Sequence, residues 1–295
     1  MNAFKRTFGF IHQHPLAKKH LFRAYFKFIS WQIKSRLNPN FQKVKFLDNT
    51  YFLGRKKLTG ITGNIYTGLH EFNEMGFLLH FLKAEDTFFD VGANIGSYTL
   101  LASSVLKAHT IAFEPVPNTF NILKKNIELN HIENLVQLEN KGVGKENASL
   151  RFSANEDTTN HVIANNEEGK DTILVPIVTL NDYVHMAKPV LIKIDVEGFE
   201  TEVLNGASLL LTNTTLKAII IELNGSGDRY GYDENQIHEK LMTHSFKPYS
   251  YNPFDRKIEE LPRFGAFNTI YIRDTHFVNE RLKGSTAFKI FNQEI

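Results

Sequence analysis

Apolar and polar residues alternate along the chain in blocks that predict strands and helices in turn. Continuous apolar runs typical of buried strands lie at residues 88–91, 110–113, 136–138, 190–194, 218–223 and 266–272. Between these runs, apolar residues recur every three or four positions, which predicts helices over residues 71–81, 94–107, 118–129, 201–211 and 234–243. Apolar strands that alternate with helices indicate an α/β fold with a mostly parallel sheet covered on both faces.

An amphipathic helix is predicted at residues 16–37, ahead of this alternation. Phe22, Phe26, Ile29, Ile33 and Leu37 recur at steps of three and four, so they share one face of the helix. Two interpretations stay open: the aromatic face lies on an anionic membrane surface, or it packs on the main domain. We divide the chain into an N-terminal arm (1–59), an α/β domain (60–275) and a C-terminal tail (276–295).

The charge distribution sets the arm apart. The 295 residues carry 34 Lys and Arg against 32 Asp and Glu, a net charge of +2. The first 60 residues nevertheless hold 13 basic residues and a single acid, Asp48, which leaves the rest with 21 basic and 31 acidic residues. A basic arm on an acidic body suits an anionic partner for the arm. His12, His14 and His20 lie in this arm without metal-site context, and we expect them at the surface.

Some functional classes are excluded by composition. The chain has no cysteine, which rules out disulfides, thiolate nucleophiles and cysteine-ligated zinc. No apolar run approaches the roughly 18–20 residues that cross a bilayer, and residues 1–15 lack the features of a secretory signal. We therefore expect a cytoplasmic protein, peripheral to the inner face of a membrane if the arm binds lipid.

The sharpest motif is a glycine loop between a predicted strand and a predicted helix. It contains Asp90, Gly92, Asn94 and Gly96 in the spacing D-x-G-x-N-x-G. Such a loop lets the backbone approach a nucleotide-type cofactor closely. Asn tolerates left-handed backbone better than other non-glycine residues, so Asn94 is compatible with a tight turn.

Glu114 ends the next predicted strand. An acidic residue at this place typically accepts hydrogen bonds from two ribose hydroxyls. The dinucleotide fingerprint G-x-G-x-x-G is not matched, because Asn94 and Ser97 stand where its second and third glycines would be. The loop therefore favours S-adenosylmethionine over a pyrophosphate-containing cofactor, with an NAD(P)-dependent oxidoreductase as an alternative.

Three carboxylates are expected at the acceptor side of this cofactor. Asp195 and Glu222 end two further predicted strands, and Glu197 follows Asp195 closely. One of them is a candidate general base for a hydroxyl, or Asp195 with Glu222 or Asn224 holds a Mg²⁺ ion. The alternative for Glu197 is that it and Glu200 cap or solvate the following helix. His161, in a polar loop, is a second candidate base.

These motifs resemble the FkbM-type S-adenosylmethionine-dependent methyltransferases. The matching blocks are residues 89–99, 112–115, 180–182, 191–200 and 203–207, and residues 63–66 and 68–71 upstream also fit. The resemblance implies a Rossmann-like class I methyltransferase fold with a seven-stranded sheet, and O-methylation of a sugar, glycolipid or other small acceptor. It implies that Asp90, Gly92, Asn94 and Gly96 cradle the methionine part of the cofactor. It also assigns the ribose to Glu114, and the acceptor side to Asp195 and Glu197.

Two further interpretations compete with an enzyme acting on a small molecule or glycan. A methyltransferase-like fold does not guarantee catalysis, so a non-catalytic binding protein is an alternative. Nucleic acid is not expected as the acceptor, because the acceptor side is acidic and phosphates require the opposite charge.

Overall fold

The computed structural model describes residues 3–56, 58–153, 160–164 and 171–295. Its strands are β1 Gln42–Lys45, β2 Tyr51–Gly54, β3 Thr87–Val91, β4 His109–Phe113, β5 Val136–Glu139, β6 Gly142–Val143, β7 Ala148–Ser153, β8 Thr172–Val178, β9 Leu191–Ile194, β10 Ala218–Glu222, β11 Lys247–Asn252, β12 Lys257–Glu260, β13 Asn268–Ile272, β14 Lys289–Ile290 and β15 Gln293–Glu294.

Helices flank these strands in the order that the sequence pattern indicates. They are α1 Ala3–Gln13, α2 Leu21–Leu37, α3 Thr62–Thr67, α4 Phe72–Phe81, α5 Ser97–Thr99, α6 Pro117–Leu129, α7 Glu200–Asn205, α8 Ser208–Thr212, α9 Glu234–Thr243 and α10 Thr275–Lys283. A π-helical segment, Leu100–Val105, continues α5. Within the described residues, no helix combines the length and apolar character needed to cross a membrane.

The main sheet has the order β12-β11-β13-β10-β9-β3-β4-β5. Strands β10, β9, β3, β4 and β5 run parallel, whereas β13, β11 and β12 pair antiparallel. The α/β prediction is confirmed, but the described sheet contains eight strands instead of seven. The additional edge strand, β12, reads Lys-Ile-Glu-Glu and is largely exposed, so it lacks the apolar run that marks a buried strand.

Alternate residues of the central strands fill two hydrophobic clusters, one on each face of the sheet. Phe88 and Ile220 face one cluster, and their chain neighbours Phe89 and Ile219 face the other. The first cluster also takes in arm residues such as Trp31 and tail residues such as Ile295. Both terminal segments are therefore packed against the domain.

Local close approaches explain where the predicted elements change. The helix predicted over 201–211 is divided into α7 and α8 at Gly206, where an added Cβ would lie 2.0 Å from the carbonyl oxygen of Gly144.

The expectation that the arm histidines lie at the surface is wrong for His14. Its side chain is buried, and its Nε2 lies 2.6 Å from the carbonyl oxygen of Leu69.

Candidate functional site

The candidate site lies where the parallel strands end. Val91 of β3 is in register with Phe113 of β4 and with Ile194 of β9, and Ile194 is paired in turn with Ile221 of β10. The residues that follow these positions therefore meet along one edge of the sheet. The predicted glycine loop, Glu114, Asp195 and Glu222 all lie on this edge, which is where ligands bind in open parallel sheets.

The glycine loop has the backbone geometry that the sequence predicts. Gly92 and Gly96 have φ angles of 81° and 96°, and Asn94 has a φ of 53°. A Cβ on Gly92 would lie only 1.8 Å from the carbonyl oxygen of Asp195. The loop therefore packs directly against the end of β9. A side chain at Gly92 could be accommodated only if the loop or the end of β9 moved.

Two buried carboxylates hold this loop. Asp90 accepts a hydrogen bond from the Thr99 hydroxyl at 2.6 Å, and Glu114 accepts one from the backbone N–H of Asn94 at 2.9 Å and one from that of Val116 at 2.9 Å. Burial raises the pKa of Asp90 to about 6 and that of Glu114 to about 7, although these hydrogen bonds favour the ionised forms. Glu114 thus fixes the loop and also lines the cavity described below.

The three acceptor-side carboxylates come together as predicted. Asp195, Glu197 and Glu222 each offer an oxygen within 4.8 Å of the other two. Burial, with the negative charge of Asp195, raises the pKa of Glu197 to about 7 and holds that of Glu222 well above its usual range. At neutral pH the cluster therefore carries less than three negative charges.

Lys193 is a buried cation beside this cluster that the motif analysis did not single out. Its Nζ lies 2.6 Å from Oδ2 of Asp195 and 4.8 Å from the centroid of the Tyr98 ring. Burial alone would lower its pKa, but Asp195, Glu71 and Asp90 outweigh burial and the net shift is upward. A lysine in an apolar strand is itself a signal, because lysines are almost never buried unless they are paired.

The opposite wall of the site comes from segments far away in the chain. Glu71 accepts a hydrogen bond from the Tyr98 hydroxyl at 2.6 Å and another from the Asn268 amide at 2.6 Å. Asn64 of α3 donates to the Ser97 hydroxyl at 3.0 Å. Asn64 and Glu71 lie in the two upstream blocks that fit the resemblance, residues 63–66 and 68–71, but the motifs alone assign them no role. The fold brings α3, α4, α5 and β13 together at this place.

The structure separates the two acids that the alternative interpretation assigned to the following helix. Glu200 accepts the backbone N–H groups of Val196 and Gly198 and so holds the turn into α7, whereas Glu197 lines the cavity described below. His161 is buried, and its backbone pairs with Ser153, whereas its neighbours Asn160 and Val162 line the cavity described below. The role of His161 as a base stays a prediction.

A cavity of about 360 Å³ runs along this edge of the sheet. It is lined on one side by the glycine loop, Asp90 and Glu114, and on the other by Lys193, Asp195, Glu197 and Glu222. Small-molecule sites typically have volumes of about 300–1,000 Å³. The cavity thus joins the glycine loop to the acidic cluster of Asp195, Glu197 and Glu222.

Comparison with known proteins identifies the fold family. The profile of the Methyltransferase FkbM domain matches residues 90–251, which contain the glycine loop and all three acceptor-side carboxylates. The chain belongs to the FkbM methyltransferase family. An FkbM methyltransferase uses S-adenosylmethionine, and the predicted cofactor class agrees with this membership.

Two curated relatives are also methyltransferases. "Methyltransferase 1" of Beauveria bassiana is 33% identical over 147 residues, which cover 41% of this chain and 59% of that protein. The hexuronic acid methyltransferase AglP of Haloferax volcanii is 30% identical over 167 residues, which cover 56% of this chain and 67% of that protein. The chain therefore spans only part of each relative that it matches.

Solved structures of methyltransferases are also similar. Precorrin-6y C5,15-methyltransferase of Geobacter metallireducens is 15% identical, with coverage of 75% of this chain and 93% of that chain and a TM-score of 0.40. TrmK of M. capricolum, solved with S-adenosylhomocysteine, is 10% identical, with coverage of 68% of both chains and a TM-score of 0.39.

Proposed function

We propose that this FkbM methyltransferase transfers the methyl group of S-adenosylmethionine to a hydroxyl of a sugar or glycan. The observation that carries the proposal is the carboxylate cluster Asp195, Glu197 and Glu222, which faces the glycine loop across one cavity. A hydroxyl held between the two halves has a proton acceptor on one side and the methyl donor on the other. The name of the Haloferax relative supports a sugar as the acceptor.

The cofactor half fits an adenosyl ligand. Asp90 and the glycine loop are proposed to hold the methionine part, where the negative charge of Asp90 favours the cationic sulfonium. Glu114 is proposed to accept hydrogen bonds from the ribose hydroxyls with the lone pairs that its two backbone contacts leave free. Positioning of this kind supplies about 7–11 kcal/mol of barrier reduction in well-oriented reactions.

Asp195 is the proposed base. As the acceptor oxygen forms its bond to the methyl carbon, the carbon–sulfur bond breaks and the hydroxyl proton passes to a carboxylate oxygen of Asp195. Lys193, whose Nζ lies 2.6 Å from Oδ2 of Asp195, holds this carboxylate in place. Glu222, whose pKa is raised by burial and by Asp195, is protonated at neutral pH and donates a hydrogen bond to a sugar oxygen.

Arg229 supports an anionic acceptor. It lies in the turn Ser226–Tyr230 after β10, and its charge acts on Glu197. Its Nη1 is buried without a hydrogen-bond partner among the described residues. A guanidinium is suited to bind a carboxylate such as that of a hexuronic acid.

The test is methyl transfer to uronic acid glycosides, followed by mass spectrometry. Asp195→Asn removes the proton acceptor, and we expect turnover to fall about 10²–10⁴-fold, the usual contribution of a general base. Binding of S-adenosylmethionine should change little. Glu259→Gln, an exposed substitution on β12, is the matched control. Wild-type turnover by Asp195→Asn would contradict the proposed base.

A magnesium ion is a second candidate at the same carboxylates. The oxygen donors suit a hard divalent cation, but the ammonium of Lys193 already neutralises one oxygen of Asp195. We therefore favour catalysis without the ion. Methyl transfer should persist after treatment with EDTA, whereas loss of transfer that added Mg²⁺ restores would establish the metal site.

A further inference from the structure

Helix α2 carries two apolar faces, and the body of the protein covers one of them. Ala24, Phe28, Trp31 and Ser35 are buried against the domain. Successive helical residues turn by about 100°, so a second set lies on the opposite side of the helix. This exposed stripe consists of Phe22, Phe26, Ile29, Ile33 and Leu37.

The exposed stripe is unusual for a surface helix. Each of its five side chains is between 53% and 89% exposed. The stripe runs from one end of α2 to the other, over about 22 Å at 1.5 Å per residue. Scattered exposed apolar side chains are ordinary, but a continuous apolar row marks an interaction surface.

Charge decides what kind of partner this surface fits. Arg23 and Lys34 flank the exposed stripe on one side of α2, and Arg36 flanks it on the other. All three are exposed. The first 47 residues of the chain contain no Asp or Glu. In the part of the chain that the structure describes, no ion pair joins an arm Lys or Arg to a carboxylate. The basic side chains remain available to anions outside the protein.

We propose that α2 docks this protein on an anionic lipid surface. The exposed stripe enters the boundary between headgroups and acyl chains, while the flanking basic side chains meet lipid phosphates. With 17 residues and basic flanks, α2 lies in the plane of the surface. The proposal does not depend on the methyl acceptor, since it concerns the face of the arm that points away from the cavity-bearing body.

The packing of α2 connects this surface to the site. Phe28 contacts the ring of Tyr66 with centroids 5.1 Å apart, and Gln32 donates to the Tyr66 hydroxyl at 3.0 Å. Tyr66 belongs to α3, whose Asn64 lines the cavity. A membrane that holds α2 therefore also holds α3, which contributes Asn64 to one wall of the cavity.

Vesicle sedimentation of the full chain tests the proposal. The probes are vesicles of phosphatidylcholine alone and vesicles in which part of it is replaced by phosphatidylglycerol. We expect binding to the anionic vesicles only, weakened severalfold by a rise from about 50 to about 500 mM NaCl, because salt screens exposed charges. Absence of the protein from the anionic pellet at low salt overturns the proposal.

Paired variants separate the two contributions. Phe26→Ser with Ile33→Ser should lower binding to the anionic vesicles by about tenfold or more, because two apolar side chains are no longer transferred from water into the lipid. Lys34→Gln with Arg36→Gln should lower it by about fivefold per charge. Leu174→Ser with Met186→Ser removes two equally exposed apolar side chains outside the arm, and should bind as the wild type does.

Two further readouts report on the folding and the oligomeric state of these variants. The stripe variants should keep the wild-type circular dichroism and affinity for S-adenosylmethionine, because the replaced side chains make little contact with the body. Light scattering reports whether a second copy covers the stripe. If the wild type is a dimer and the Phe26→Ser and Ile33→Ser substitutions dissociate it, the lipid assignment is wrong. The lipid assignment is also wrong if a stripe variant binds vesicles as well as the wild type does.

Discussion

At the scale of single residues, the site depends on a few positions with no freedom of substitution. Gly92 lies between β3 and the end of β9, with the Asp195 carbonyl where its Cβ would be. Its neighbour Asn94 adopts a left-handed backbone and gives its N–H to Glu114. The same residues thus shape the glycine loop and pack it against Asp195, the proposed base.

Gly92→Ala is predicted to damage folding and binding together. A left-handed alanine costs about 1–2 kcal/mol, and overpacking against Asp195 adds about 1–3 kcal/mol. Gly225→Ala is the matched control, because Gly225 also has a positive φ but has open space around it. Urea unfolding of both variants separates the two costs. Equal loss of stability in both variants would show that the collision with Asp195 is unimportant.

Sequence reasoning found the residues that belong to local motifs. Asp90, Gly92 and Asp195 were predictable, because each lies at or beside the end of an apolar strand. The pairing of Lys193 could also have been predicted, since it interrupts an apolar strand and a buried lysine must be paired. Glu71 lay in a matching motif, but its contacts with Tyr98 and Asn268 were not predictable, because only the folded chain brings these residues together.

At the scale of elements, the arm shows what periodicity can and cannot decide. The pattern located a helix close to the observed α2, and it identified the apolar row from Phe22 to Leu37. It did not reveal that Phe28 and Trp31 form a second apolar face, which is the one that packs. Periodicity gives the faces of a helix, but contacts with the body select which face is buried.

His14 makes the attachment of the arm sensitive to acid. Its Nε2 donates to the carbonyl of Leu69 at 2.6 Å, so Nδ1 is the ring atom that accepts the N–H groups of Leu16 and Ala17. A proton on Nδ1 would face these donors. Burial also disfavours the charged ring, and it lowers the pKa of His14 from 6.5 to about 4.

The folded arm is therefore expected to lose stability as the pH falls from about 6.5 to about 4. In this range the unfolded chain binds a proton at His14 and the folded chain does not, so unfolding becomes more favourable. The fluorescence of Trp31, the single tryptophan, reports on the arm in urea titrations at each pH. His14→Gln should reduce this pH dependence, and His12→Gln, an exposed change in the preceding helix α1, should keep it.

At the scale of the whole molecule, one sheet edge collects the chemistry while the rest of the chain surrounds it. The parallel strands β3, β4, β9 and β10 were predictable because each is a mostly apolar and mostly buried run. The edge strand β12 and helix α10 were not predicted, because their sequences are mostly polar. The arm and the tail share a hydrophobic cluster with the domain, so the proposed boundaries at residues 59 and 275 divide segments that pack together.

The central claim is that the cavity binds S-adenosylmethionine and that Glu114 holds its ribose. Calorimetric titration of the wild type and of Glu114→Ala with S-adenosylmethionine tests it most directly. Glu114→Gln is a control that retains one acceptor for the loop amides, and NADH is the competing ligand. Loss of charged hydrogen bonds worth about 1.5–3 kcal/mol predicts an affinity about 10–150-fold weaker in Glu114→Ala. Binding of NADH instead, no binding of either ligand, or wild-type affinity in Glu114→Ala would contradict the account.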